Sequence, residues 1–344
     1  MTDAQFQRKV TWLSFLCCVL VIWNHAGNAD LFLPGQGTQG FLWRFEYEYA
    51  YSVIRADIPF FLMISGYRFF RGFEMKKLPG KWIRRVRSLF IPYLLWNLLY
   101  FAADAAASRI PVLSEITGRR EIPVTAEEII RAAVFFTHNP VFWFMFQLIL
   151  LVILAPVIWI FLRSKAGCLV MLAGFAVLWY VWPAVPVLNP DALIYFSLGG
   201  MAAVRFRKET EEAWSLKRLL FGCASLAAAA ALYRYYRIIQ TPQPIVLYSI
   251  LVPAGIWLVF DEKWIPEDGI RPWMKETFFI YAFHFVVVRA VNKTVVRFFP
   301  GNGIVAAILF TAMPLIAVTV CHGLAGFLRK NVPPFYSLLN GGRG

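Results

Sequence analysis

The chain has 344 residues, of which 59% are hydrophobic and only 16% charged, against roughly a quarter charged in a soluble globular domain. With a mean hydropathy of +0.59, that balance excludes a soluble globular protein and describes a polytopic membrane protein. The net charge of +14 requires no nucleic acid, because basic loops facing anionic lipid on one side of a bilayer account for it.

Residues 1–9 are polar and end in Arg8-Lys9; an apolar run then begins at Val10. Taken as far as Ala26, it is about 17 residues long, just enough for an uncleaved first transmembrane helix. The basic start, the short apolar core and the Gly27-Asn28-Ala29 that follows also match a signal peptide. A chain with many later spans does not need one. Further apolar runs lie near 50–70, 88–107, 141–162, 167–183, 190–206, 218–239, 245–260, 276–296 and 303–328. With the first at 10–26, the expectation is an all-α protein of about ten transmembrane helices. They form a single domain over 1–344, with no internal repeat and no appended soluble domain. Placing the N-terminus inside puts 22 of the 34 Lys/Arg on the cytoplasmic side, so both termini are expected there. The polar stretches 28–49 and 108–140 then lie outside. The five cysteines mostly fall inside apolar runs and form no C-x-x-C, so neither a disulfide nor a metal site is expected.

The stretch from Ile58 to Leu99 reads as the end of one apolar helix, a basic connection and the start of another. After Ser65-Gly66 come Arg68 and Arg71, and seven Lys/Arg lie between Arg71 and Arg87, Arg84 and Arg85 among them. Such a density holds a loop in the cytoplasm. It also suits a phosphorylated ligand, since guanidinium matches phosphate in bidentate fashion.

Ionisable groups inside spans are costly, so function is their default reading. His25 lies about 22 Å along the first helix from Val10, towards the outer interface, beside Trp23 and Asn24. A histidine there suits a general base, or it anchors a helix end among headgroups. His284, about 12 Å along its helix from Glu276, shares a face with Tyr281; the alternative is a packing hydrogen bond to another helix. Arg55 and Asp57 precede Pro59 at the outer end of the second span. Asp104, Gln147, Arg234, Arg237 and Arg289 are other polar groups in apolar surroundings. His138 reads as a surface residue, and His322 carries little functional signal. The run E-Y-E-Y-A-Y from Glu46 sets acids between aromatics, which suits a carbohydrate, though an interfacial aromatic belt is commoner.

Taken together, P-F-F-L-M-I-S-G-Y, the basic loop and I-P-Y-L-L-W resemble the central signature of the acyltransferase 3 family of integral membrane acyltransferases. A first helix with a histidine near its outer end, V-F-W-F-M-F-Q-L-I-L-L-V-I-L-A-P and F-I-Y-A-F-H are similar to other parts of that family, in order, from about residue 10 to 330. The resemblance implies about ten helices, acyl-CoA (acetyl-CoA as the commonest case) as a cytoplasmic co-substrate with no tightly bound cofactor, and O-acylation of a carbohydrate or glycan. It implies His25 as the catalytic histidine and Arg68 with Arg71 as the R-x-x-R pair. Arg84 and Arg85 are expected to assist them with the nucleotide phosphates. Arg55, Asp57, Trp143, Tyr281 and His284 are expected to face the acceptor. The implied setting is a bacterial cytoplasmic membrane, with the bilayer and no nucleic acid as partner. Where the family usually has Arg or Lys eleven residues before the histidine, this chain has Ser14. The rival expectation is a transporter or flippase of a lipid-linked sugar or small solute, working without acyl chemistry.

Overall fold

A computed structural model describes residues 1–52, 56–117, 121–183, 185 and 187–343. Among these residues every regular element is helical. In chain order they are α1 (Asp3–His25), α2 (Ala29–Phe32), α3 (Phe41–Ser52), α4 (Asp57–Phe70), α5 (Leu78–Arg85) and α6 (Ile91–Arg109). Next come α7 (Pro111–Thr117), α8 (Ala126–Phe135), α9 (Trp143–Ile153), α10 (Ala155–Leu162), α11 (Lys165–Val181) and α12 (Pro190–Arg205). The chain ends with α13 (Arg207–Thr210), α14 (Leu216–Ile239), α15 (Pro242–Val259), α16 (Thr277–Phe298), α17 (Gly303–Asn331) and α18 (Pro333–Leu339).

Six helical stretches among the described residues are long and apolar enough to cross a membrane: Asp3–Phe32, Met75–Arg109, α14, α15, α16 and α17. The number rises to eight if the bent pairs α8–α9 and α10–α11 each count as one span. The protein is an all-helical integral membrane protein. The expected helices differ from the observed ones where the chain carries a breaker. The run 141–162 is cut at Leu154, because Pro156 near the start of α10 has no N–H for a helical bond to the preceding turn. Ser164 then caps α11 through the Gly167 N–H at 2.9 Å, and the axis turns by 119°. Within the run 50–70, residues 53–55 lie outside the described residues, and the part beyond them holds the 14-residue α4. The start at 88 falls within a π-turn over Val86–Phe90 that joins α5 to α6.

The chain forms two compact units. The first comprises Met1–Cys18, Tyr51–Leu78 and Leu150–Lys275. Within it α4 and α12 approach so closely that a Cβ on Gly66 would meet the Phe196 carbonyl, and one on Gly199 the Met63 carbonyl. In α14 and α15, Gly222 and Gly255 do the same: each would place a Cβ about 3 Å from the other's carbonyl oxygen. Small residues let helix backbones meet where lipid supplies no hydrophobic drive between helices. Ala56, Ala229, Ile245, Tyr248 and Val252 form a buried cluster beside this contact.

The second unit comprises Val19–Ala50, Pro79–Ile149 and Glu276–Gly344. Four polar side chains of α6 are tied to backbone carbonyls, as burial in an apolar medium favours. From α6, Tyr93 donates to Val134 at 2.6 Å, Trp96 to Leu339 at 3.0 Å, Asn97 to Ala133 at 3.2 Å and Tyr100 to Ala282 at 2.9 Å. The last of these tethers holds α16, which carries part of the site below.

Candidate active site

His25 is the last residue of α1 and belongs to the second unit. Three later groups hold the chain that follows it. The Glu46 carboxylate on α3 accepts from the Asn28 N–H at 3.1 Å and from the Ala29 N–H at 3.1 Å, capping the start of α2 with negative charge. Asn292 on α16 donates to the Ala26 carbonyl at 3.4 Å and accepts from the Asn28 side chain at 3.3 Å. The Asn28 side chain also donates to the Ala306 carbonyl at 3.2 Å. Burial raises the Glu46 carboxyl above its ordinary range, and the two N–H groups act in the opposite sense. One turn before Ala26, the Trp23 indole donates to Phe310 at 3.0 Å.

So held, the His25 ring stands against two side chains of α16. Its centroid is 5.4 Å from that of His284 and 5.3 Å from that of Phe285. His284 is fully buried. Its Nδ1 lies 2.7 Å from the Tyr281 carbonyl and 3.2 Å from that of Ile280. Carbonyls only accept, so Nδ1 carries the proton and Nε2 is a bare acceptor. That Nε2 is buried and has no partner among the described residues. The other two histidines are engaged by acids: His138 with Asp104 at 3.2 Å, and His322 with Glu276 at 2.7 Å, where Arg329 joins. His138 is therefore not a plain surface group; its side chain is only 12% exposed.

A cavity of about 350 Å³ adjoins the end of α1 and is lined by Trp23, Asn24, Asp30, Trp43, Glu46 and Tyr47, among others. The rings of Trp43 and Tyr47 stack at 4.9 Å and 14°. His25 does not itself line this cavity, but the two residues before it do. The E-Y-E-Y run thus supplies one acid and one ring to a concave surface.

The other expected site residues fall as follows. Arg68 is exposed on α4. Arg71 is bound to acids within the first unit: Glu211 at 2.7 Å and Asp3 at 2.7 Å, with Phe6 under its guanidinium at 4.9 Å. Arg84 is exposed and Arg85 half-buried at the end of α5. Asp57 is buried at the start of α4, where it accepts from the Ile58 N–H at 2.5 Å. Arg55 lies outside the described residues. Trp143 is half-buried at the start of α9. The Tyr281 hydroxyl donates to the Val141 carbonyl, and its ring stacks on Phe142 at 5.6 Å, so it anchors the loop before α9. Ser14 is half-buried within α1. Lys9 is fully buried and donates to the Phe260 carbonyl at 2.7 Å over the Trp257 ring.

A family model described as an acyltransferase domain matches residues 8–322. The chain belongs to the acyltransferase 3 family. The match covers the whole of the site just described, from α1 to α17. Neither a curated protein nor a solved structure matches the chain.

In this acyltransferase-family chain, two features near the histidine pair lay beyond the sequence reading of the site. Arg289 packs on Phe285 at 5.5 Å, the same ring that meets His25 edge-on. It was visible only as one charge among several in apolar runs. Asn139 is fully buried, and neither atom of its amide has a partner among the described residues. The only sequence signal for it is its place between His138 and Pro140, before the loop that Tyr281 anchors. No group of three or more His, Cys, Asp or Glu among the described residues is arranged to hold a metal ion.

Proposed function

We propose that the protein is an O-acyltransferase that moves an acyl group, acetyl in the simplest case, from cytoplasmic acyl-CoA to a hydroxyl of a carbohydrate or glycan. The observation that carries this reading is the His25–His284 pair: two imidazoles in ring contact, with no acid engaging either among the described residues, at a helix end that adjoins a polar, aromatic cavity.

In this mechanism the acceptor sugar lies in the cavity of Trp43, Tyr47, Asp30 and Glu46. Rings take the apolar face of a sugar, and acids accept from its hydroxyls. His25 takes the proton of the acceptor hydroxyl as its oxygen attacks the thioester carbon. The oxyanion collapses, the carbon–sulfur bond breaks, and the leaving thiolate receives that proton from His25. His284 packs its ring on that of His25 and so orients it; His284 is then a positioning residue, standing where a buried carboxylate stands in hydrolytic triads. Arg289 is the cation for the developing oxyanion, a duty that this chain does not give to Ser14. Tyr281 holds the backbone on which His284 sits. The exposed Arg68 and Arg84 serve the donor's phosphates; Arg71, already engaged by Glu211 and Asp3, supports that surface instead.

The test is mass spectrometry of a glycan pool incubated with acetyl-CoA and the purified protein in proteoliposomes. O-acetylated products with the wild type and none with His25→Ala support the reading. Movement of glycan across the bilayer without donor or product would replace it with the flippase.

A further inference from the structure

A second cavity, of about 260 Å³, lies wholly within the first unit, between α4, α12 and α15. Its walls are apolar: Phe60, Met63, Ile64, Ala254, Trp257 and Leu258 face it. An engineered apolar cavity of about 150 Å³ admits benzene, so this one has room for a longer stretch of hydrocarbon.

One end of the cavity differs from the rest. Arg218 lines it together with Glu209 and Thr210, and Arg218 is only 5% exposed. Its Nη1 donates to the Glu209 carbonyl and lies 3.5 Å from the Glu212 carboxylate, which is itself 64% exposed. Its Nε and Nη2 are buried and have no partner among the described residues. Leaving charged N–H groups buried without acceptors is expensive, and Nε with Nη2 is one of the edges by which a guanidinium grips two oxygens of an anion. The polar groups nearby do not fill the gap. Glu262 accepts from the Trp214 N–H at 3.1 Å, Thr210 gives its hydroxyl to Phe206 at 2.7 Å, and the Thr210 carbonyl takes the Trp257 indole at 3.0 Å.

We infer that this cavity binds an anionic amphiphile, a single acyl chain ending in a carboxylate or phosphate, with the chain between α4 and α15 and the anion on Arg218. The inference is independent of the acyl-transfer reading and uses none of the residues assigned to it.

The experiment is photo-crosslinking of the full-length purified protein with a diazirine-bearing fatty acid, followed by peptide mapping. The expected labels fall on α4 near Met63 and on α15 near Ala254. Competition by lysophosphatidate or by unlabelled palmitate should suppress them at concentrations at least tenfold below those needed for an uncharged monoacylglycerol. Suppression by palmitate alone marks the ligand as a free acid, and suppression by lysophosphatidate alone marks it as a phospholipid headgroup; either supports the site. Arg218→Gln should weaken labelling tenfold or more, and Arg218→Lys should weaken it less. Ala254→Phe, which fills the apolar end and leaves the guanidinium in place, should abolish labelling while the melting temperature holds. Equal competition by the uncharged lipid, or labelling unchanged in a folded Ala254→Phe protein, would overturn the inference.

Discussion

Two sets of charged and polar groups in this protein are built on opposite principles. In the first unit, Glu211 accepts from Arg71 at 2.7 Å, from the Tyr67 hydroxyl at 2.6 Å and from Arg207 at 3.1 Å, while Arg71 also holds Asp3. Each charge of that network meets an opposite one. In the second unit, the His25 ring meets those of His284 and Phe285, and the buried Nε2 of His284 has no partner among the described residues. A closed network stabilises; a buried polar atom left open costs energy and marks a place that a water, a ligand or a reaction can complete. The contrast separates the arginine that is tied into the fold from the histidines proposed to carry the reaction.

The largest effect should come from the open pair. His25→Ala should lower acyl transfer by about 10²–10⁴-fold, the usual worth of a general base, with an unchanged melting temperature. His284→Gln should cost less, about 10–10²-fold in kcat, and should move the pH–rate profile, which a purely structural loss would leave in place. Arg289→Ala is expected to lower kcat with little change in KM, as removal of a group that acts only on the transition state does.

The clamp behind His25 comes next. Glu46→Gln replaces one acceptor oxygen by a donor facing the N–H groups of Asn28 and Ala29, at a cost of about 1–3 kcal/mol. It should appear as a lower melting temperature together with a loss of activity, because the His25 helix end shifts. A melting temperature equal to wild type would dissolve the clamp.

The smallest effect belongs to the closed network. Burial alone would raise the Glu211 carboxyl, but its hydrogen bonds from Arg71, Tyr67 and Arg207 outweigh it and bring the group down to about 2 from an ordinary 4.5. A carboxyl depressed in the folded state contributes stability above its unfolded value, and that contribution is lost as pH falls towards the folded value. Melting temperature should therefore decline between about pH 4.5 and 2, and Glu211→Gln should flatten that part of the curve. If the variant shows the same decline, other carboxyls govern it.

Much of this was legible along the chain. The long helices α14, α16 and α17 stand where apolar runs place them, because a span of about 20 residues leaves no other way to satisfy its backbone. The cut at Leu154 was less visible: a proline near a helix start reads the same as one inside a span until one helix is seen to end and the next to begin. For the site, the rule that a polar residue within a span is functional singled out His25 and His284 separately. It could not pair them, since they stand 259 positions apart and only the fold sets one ring on the other. The same rule applied to amides would have found Asn292, which clamps the turn after His25. Arg71 shows another limit: a basic cluster suggests phosphate, but an acid that engages it, Glu211, is 140 residues away and is invisible to spacing.

The most direct test is single-turnover acetyl-CoA cleavage by purified protein in detergent, with wild type, His25→Ala and Arg68→Ala/Arg84→Ala compared side by side. The account predicts that the arginine variant loses donor affinity and retains chemistry at saturation, while His25→Ala binds donor normally and does not turn it over. Cleavage at the wild-type rate by a folded His25→Ala protein would contradict it.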